Sequence, residues 1–165
     1  MKKSLWLLLF ILQLNTIMAK TISTQIVIHA SPEKIWSVLT DFQAYPSWNP
    51  FIKSISGTPM EGKKITARLE PPGQKGMTFH PRVLEFEANK KFRWLGHFGI
   101  PGLFDGEHSF ELLSNADGTT TFHQSEKFHG ILVPLLKKML DVNTLDGFRQ
   151  MNEALKKRTE ALDKF

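Results

Sequence analysis

The segment from Ile131 to Leu162 limits the fold more than any other part of this chain. Leu132, Leu135, Leu136, Met139, Leu140, Phe148, Met151, Leu155 and Leu162 recur there at helical spacing, while Lys137, Lys138, Asp141, Arg149, Glu153, Lys156 and Lys157 fall off that stripe. The spacing predicts one long amphipathic helix over 131–162. Such a helix needs an apolar surface of comparable length to cover, and the remaining residues supply mostly strands.

Those strands are read from alternation and turn signals. Ile22, Thr24, Ile26 and Ile28 alternate with Ser23, Gln25, Val27 and His29, as in a half-buried strand. Ser31-Pro32-Glu33 then marks a helix start: a capping hydroxyl, a proline suited to the first turn and an acid at the positive end of the dipole. Ile35, Trp36 and Leu39 form the apolar face of this helix. A second short helix is expected over 41–44, stopped by Tyr45-Pro46. Six further strands are expected at about 51–56, 63–70, 77–88, 91–98, 107–114 and 120–128, with Pro71-Pro72-Gly73, Asn89-Lys90 and Asp117-Gly118 as the plainest turns. No repeat or linker divides the chain. The expected fold is α+β: a curved seven-stranded antiparallel sheet wrapped around a long C-terminal helix, with two short helices after the first strand.

The first residues read as an address. Lys2 and Lys3 precede the apolar run 5–14, and Asn15 to Ala19 follow, in the pattern of a secretory signal peptide. The run is shorter than the roughly 20 residues a spanning helix needs, so cleavage after Ala19 is expected over a permanent anchor. The division is then a leader, 1–19, and one domain, 20–165, with a periplasmic or secreted destination. The formal charge of +5 loses Lys2 and Lys3 with the leader. The remaining Lys and Arg interleave with Asp141, Glu153 and Glu160 on the helix, which describes a solvated face and argues against nucleic acid. Lys137-Lys138 and Lys156-Lys157-Arg158 are candidates for weak contact with anionic headgroups.

With no cysteine, disulfides, thiolate metal sites and a cysteine nucleophile are excluded. The six histidines are scattered singly and no His-Glu-x-x-His occurs, so no metal is expected. Phosphate-loop, dinucleotide and Gly-x-Ser-x-Gly motifs are missing too, and no cofactor is expected.

The order of elements and a series of motifs resemble the SRPBCC superfamily, the helix-grip fold of START lipid-transfer and birch-pollen-allergen-like proteins, in its polyketide cyclase/dehydrase branch. The motifs are Ala30-Ser31-Pro32-Glu33-Lys34-Ile35-Trp36, Asp41-Phe42 through Trp48-Asn49-Pro50-Phe51, Pro81-Arg82-Val83-Leu84-Glu85 and Arg93-Trp94. Pro101-Gly102-Leu103-Phe104-Asp105-Gly106-Glu107-His108 and Met151-Asn152-Glu153-Ala154-Leu155-Lys156 continue the series. The resemblance implies a space between sheet and helix, and an export signal departs from the branch's commonly cytosolic members.

Period-two alternation carries His108 inward with Phe110 and Leu112, and Gln124 and Glu126 inward with Phe122 and Phe128. The Asp117-Gly118 hairpin makes these strands neighbours, so His108, Gln124 and Glu126 are expected to converge among aromatics. Three readings follow: a self-satisfied polar pair, a polar anchor for a lipophilic ligand, or an acid/base pair. For a ligand, the expected contacts are Trp94, His108, Phe110, Phe122, Gln124, Glu126, Met139 and Phe148. The functional expectation is an exported carrier of a hydrophobic small molecule or lipid rather than an enzyme. The alternatives are a cyclase or dehydratase using His108 and Glu126, or a ligand-free protein-interaction module. Gly147 either opens room for a ligand or lets helix and sheet approach closely. The 99–104 connection is either a lid or a plug at one end of the core.

Overall fold

A computed structural model describes residues 19–162; most of the expected leader, residues 1–18, lies outside them. Strand β1 (Ala19–Ile28) alternates as its sequence requires, with Ile22 and Ile28 buried and Ser23, Gln25 and Val27 exposed. Ala19 already pairs with His129. In helix α1 (Pro32–Thr40) the Ser31 hydroxyl accepts the Lys34 N–H at 3.4 Å, and Ile35, Trp36, Val38 and Leu39 are buried. The Ser31 hydroxyl and the backbone N–H of Glu33 hold the Glu33 carboxyl below the usual glutamate range.

The second short helix is displaced from its expected place. A 3-10 turn (Phe42–Ala44) leads into a single α-turn, α2 (Tyr45–Trp48), so Tyr45-Pro46 opens this helix where it was expected to end one. Proline in a first turn sacrifices no hydrogen bond, because that N–H has no intrahelical acceptor. The Tyr45 hydroxyl donates to the Leu39 carbonyl at 2.7 Å, and complete burial pushes its pKa upward.

Among the described residues, eight strands in two sheets replace the expected seven in one. β2 (Ile52–Ser56), β3 (Thr66–Leu69) and β4 (Met77–Phe79) form a small antiparallel sheet in that order. β5 (Arg82–Glu87), β6 (Lys91–His97), β7 (Asp105–Ser114) and β8 (Thr120–His129) join β1 in a five-stranded sheet of order β1-β8-β7-β6-β5. The expected strand 77–88 is cut at His80-Pro81, because Pro81 has no N–H to give a ladder. There the chain passes from one sheet to the other. Lys64 bridges Arg82, the Val83 N–H reaches the Lys63 carbonyl at 2.8 Å and the Ile65 N–H the Pro81 carbonyl at 3.0 Å, so the curved surface continues across the break.

The C-terminal helix is also interrupted. α3 (Val133–Met139) runs through a π-turn (Leu140–Thr144) into α4 (Leu145–Ala161). A π-turn inserts a residue, so the stripe counted along α4 is out of phase by about 100° on α3. Leu140, Phe148, Met151 and Leu155 are buried as expected, but Leu135 is 80% exposed and Leu162 54%. Gly147 marks a close approach: a Cβ there would overlap the Phe51 ring. Phe51 and Phe148 meet edge to face at 5.4 Å, closing the space that a ligand would have needed.

A narrow apolar pocket with a carboxylate in its wall

Antiparallel register sets the polar cluster. His108 lies opposite Glu126, and Phe110 opposite Gln124. His108 is fully buried, stacked flat on Trp94 and met edge-on by Phe110 at 4.6 Å and Phe148 at 5.2 Å. Its Nδ1 faces Glu126 Oε2 at 3.4 Å and its Nε2 faces Gln124 Nε2 at 3.3 Å. With Gln124 so oriented, Nδ1–H donates to the carboxylate and Nε2 accepts from the amide. Gln124 Nε2 also donates to Met151 Sδ at 3.7 Å, while Gln124 Oε1 is buried with no partner. One polar thread therefore runs Glu126, His108, Gln124, Met151 through an aromatic interior.

A pocket opens beside the Glu126 end of this thread, between the small sheet, the ends of β6 to β8 and the π-turn. Its cavity volume is about 60 Å³, within about 650 Å³ of empty space that includes the open mouth. It is a slot. Leu69, Met77 and Phe79 form one wall, Trp94 and Phe128 another, and Met139 and Leu140 the helix side. Glu126 is the single charged residue among the lining residues, and Thr144 brings the other polar side chain. Glu126 Oε1 has no hydrogen-bond partner among the described residues.

Two glycines shape this wall. Gly96 and Gly106 lie opposite each other on β6 and β7 and both line the slot. A Cβ on Gly106 would overlap Glu126 Oε1, so the carboxylate rests against bare backbone. Isolated glycines inside strand patterns signal such an approach, and these two could have been found from sequence on that ground. The contributions of Phe51, Leu69, Met77 and Phe79 carried no comparable signal, since they depend on how the small sheet folds over the large one.

The expected ligand contacts separate into two groups. Trp94, Glu126 and Met139 line the slot. His108 and Gln124 join Glu126 as expected but sit behind it, and Phe110, Phe122 and Phe148 are fully buried in the packing beneath. The 99–104 connection contributes Phe104, stacked on Phe128 at 5.3 Å, to the wall. It is tied down by Phe98 N–H to Phe104 O (2.8 Å), Gly102 N–H to Asp105 Oδ2 (2.9 Å) and Leu132 N–H to Leu103 O (3.1 Å). No group of three or more His, Asp or Glu side chains able to hold a metal occurs among the described residues.

Sequence comparison matches residues 19–160 to the family described as polyketide cyclase / dehydrase and lipid transport. No curated protein matches the chain. Among solved structures, a START superfamily protein from Mycobacterium smegmatis is 24% identical, with a TM-score of 0.66 over 86% of this chain and 98% of its own. A norcoclaurine synthase from Thalictrum flavum, solved with a transition-state analogue, is 14% identical with a TM-score of 0.70 over 90% and 99%. The Zhui aromatase/cyclase from a Streptomyces species is 11% identical with a TM-score of 0.69 over 87% and 94%. At these identities the likeness establishes the shared fold.

Proposed function

Because this chain belongs to the polyketide cyclase / dehydrase and lipid transport family, we propose that it carries a hydrophobic small molecule or lipid in the slot, with the ligand's polar end on Glu126. The observation that supports this reading most is the free Glu126 Oε1 in a wall otherwise almost wholly apolar. An apolar slot with one directional acceptor selects a greasy body that ends in a hydrogen-bond donor. The slot is narrow, so the ligand parts its walls, and Met77 and Met139 are the side chains best able to yield.

Carriage is favoured over turnover by the place of the imidazole. His108 is fully buried behind the carboxylate and Trp94 and does not line the slot, so a bound molecule meets one ionisable group where acid/base chemistry of the expected kind needs two. With the leader expected at 1–19, this work is done outside the cytosol, in a periplasm or beyond.

Native mass spectrometry of protein purified from the exported fraction, followed by identification of the extracted molecules, tests the reading. A reproducible apolar adduct that is lost in Leu69→Trp and weakened in Glu126→Leu is expected. Protein that stays empty, and that binds no apolar fluorescent probe, would overturn it.

A further inference from the structure

Exposed apolar side chains gather at the slot's end of the molecule. Phe98 and Ile100 are 47% and 70% exposed on the β6–β7 connection, and Ile131 and Leu135 are 75% and 80% exposed around the start of α3. The two segments are held together: the Ile131 N–H donates to Gly102 O at 3.2 Å and the Leu132 N–H to Leu103 O at 3.1 Å. Gly130, at φ +126°, brings the backbones so close that a Cβ there would overlap Leu103 O. A residue with a side chain would push the two apolar tips apart. Phe104 from the first segment and Met139 from the helix that starts the second also line the slot, so this surface borders its mouth.

Large apolar side chains exposed together on two joined segments mark an interaction surface. Charge identifies its partner. Lys137 and Lys138 follow Leu135 on α3, and Lys20 lies beside them through Asp141, which pairs with both Lys20 and Lys137. Two cations thus pair with that one acid, exposed Lys138 adds a further positive charge next to Lys137 in sequence, and Asp105 at the loop's base is taken up by His97 and the Gly102 N–H. Ala19 lies at this end too, paired with His129, two residues from Ile131. The second basic cluster is elsewhere: Lys156 Nζ donates to Val27 O, about 26 Å along β1 from Ala19.

We infer that this end of the molecule docks on an anionic lipid bilayer, with Ile100, Ile131 and Leu135 entering the acyl boundary and Lys137 and Lys138 meeting the headgroups. No helix among the described residues is long and apolar enough to cross a membrane, and the docking inferred is that of a domain lying on the bilayer surface. Docking turns the slot's mouth toward the lipid, and a molecule too apolar for water then moves between bilayer and pocket without crossing solvent. The docking rests on the surface alone and stands whether or not the slot holds a ligand.

The chain has no cysteine, so a single introduced thiol is uniquely labelled. The full chain carrying Leu135→Cys with an environment-sensitive fluorophore is mixed with vesicles of phosphatidylcholine and phosphatidylglycerol, with Leu113→Cys at the opposite end as the control. The label at 135 is expected to shift blue and to be quenched by lipid-borne quenchers, and that at 113 to remain in water. Ile100→Ser with Ile131→Ser weakens the response to added vesicles by about tenfold or more. Lys137→Gln with Lys138→Gln weakens it about tenfold on these vesicles and little on phosphatidylcholine alone. A label at 135 that stays in water, or that responds no more than the one at 113, overturns the inference. So does a blue shift without vesicles: one that depends on protein concentration assigns the face to a second copy, and one that does not assigns it to the chain's own residues 5–14.

Discussion

His108 and Trp94 lie in parallel planes, 4° apart with ring centroids at 4.7 Å, and this stack fixes the imidazole so that its two nitrogens address Glu126 and Gln124. Removing the ring leaves a cavity and strips a partner from a nearly buried carboxylate and a buried amide. We predict that His108→Ala lowers stability by about 3 kcal/mol or more in urea unfolding. His108→Ala combined with Glu126→Ala should cost clearly less than the sum of the two single changes. Simple additivity would show that the pair is not coupled.

Gly106 supplies the room in which the Glu126 carboxylate lies. Gly106→Ala is expected to cost about 1–3 kcal/mol by overpacking, although alanine otherwise suits a strand better than glycine does. Most of that cost should vanish in a Glu126→Ala background. Equal penalties in both backgrounds would place the strain elsewhere, for instance in the neighbouring Phe128.

A similar test applies at Gly147. Helix propensity alone favours alanine there by about 1 kcal/mol. Contact with Phe51 reverses the sign, and Gly147→Ala is expected to destabilise by about 1–3 kcal/mol. Phe51→Leu should recover part of the loss. A Gly147→Ala protein that melts higher than the parent would mean that the helix sits farther from the small sheet than described.

The contact between β1 and the π-turn carries a pH dependence. Hydrogen bonds from Lys137 and Lys20 hold the Asp141 carboxyl below its ordinary value of 3.8. A carboxyl lowered in the folded state adds stability above its unfolded value and loses it as pH falls through its folded value. Asp141→Asn should therefore flatten the acid limb of the stability curve below about pH 4, leaving stability less changed near pH 3 than near pH 7. An acid limb identical to the parent's would remove Asp141 from that account.

The pairing of His108 with Glu126 was legible because it needs only two things: alternation along each strand and the Asp117-Gly118 turn that fixes their register. The Asp117 carboxylate accepts the Thr119 N–H and hydroxyl at 3.0 and 2.7 Å, so the turn is specified locally. Alternation states which side chains point inward, and says nothing of whether they fill space or border it. Phe110, Phe122 and Phe148 pointed inward and were consumed in packing one another and His108. The phase slip before Leu145 was not legible, since 135 and 139 fit a regular helical stripe as well as 148 and 151 do. Pro81 was visible as a residue, but only the tertiary course shows that the chain changes sheets there.

That change of sheets bears on how the slot admits anything wider than water. Beyond the hand-over at Pro81, few main-chain bonds join one wall of the slot to the five-stranded sheet, chiefly those of 62–65 to 81–83, and the burial of Ile52, Ile55, Ile65 and Ala67 in the common core supplies the rest of the hold. A unit with few main-chain ties to its neighbour is expected to open at a lower free energy than global unfolding. On the proposed carriage, loading is expected to be a local opening in which β3 and β4 move while the five-stranded sheet holds. The amide protons of Ala67 and Leu69 should exchange with solvent through the same opening that releases a ligand, which makes the slow step of loading a property of the empty protein.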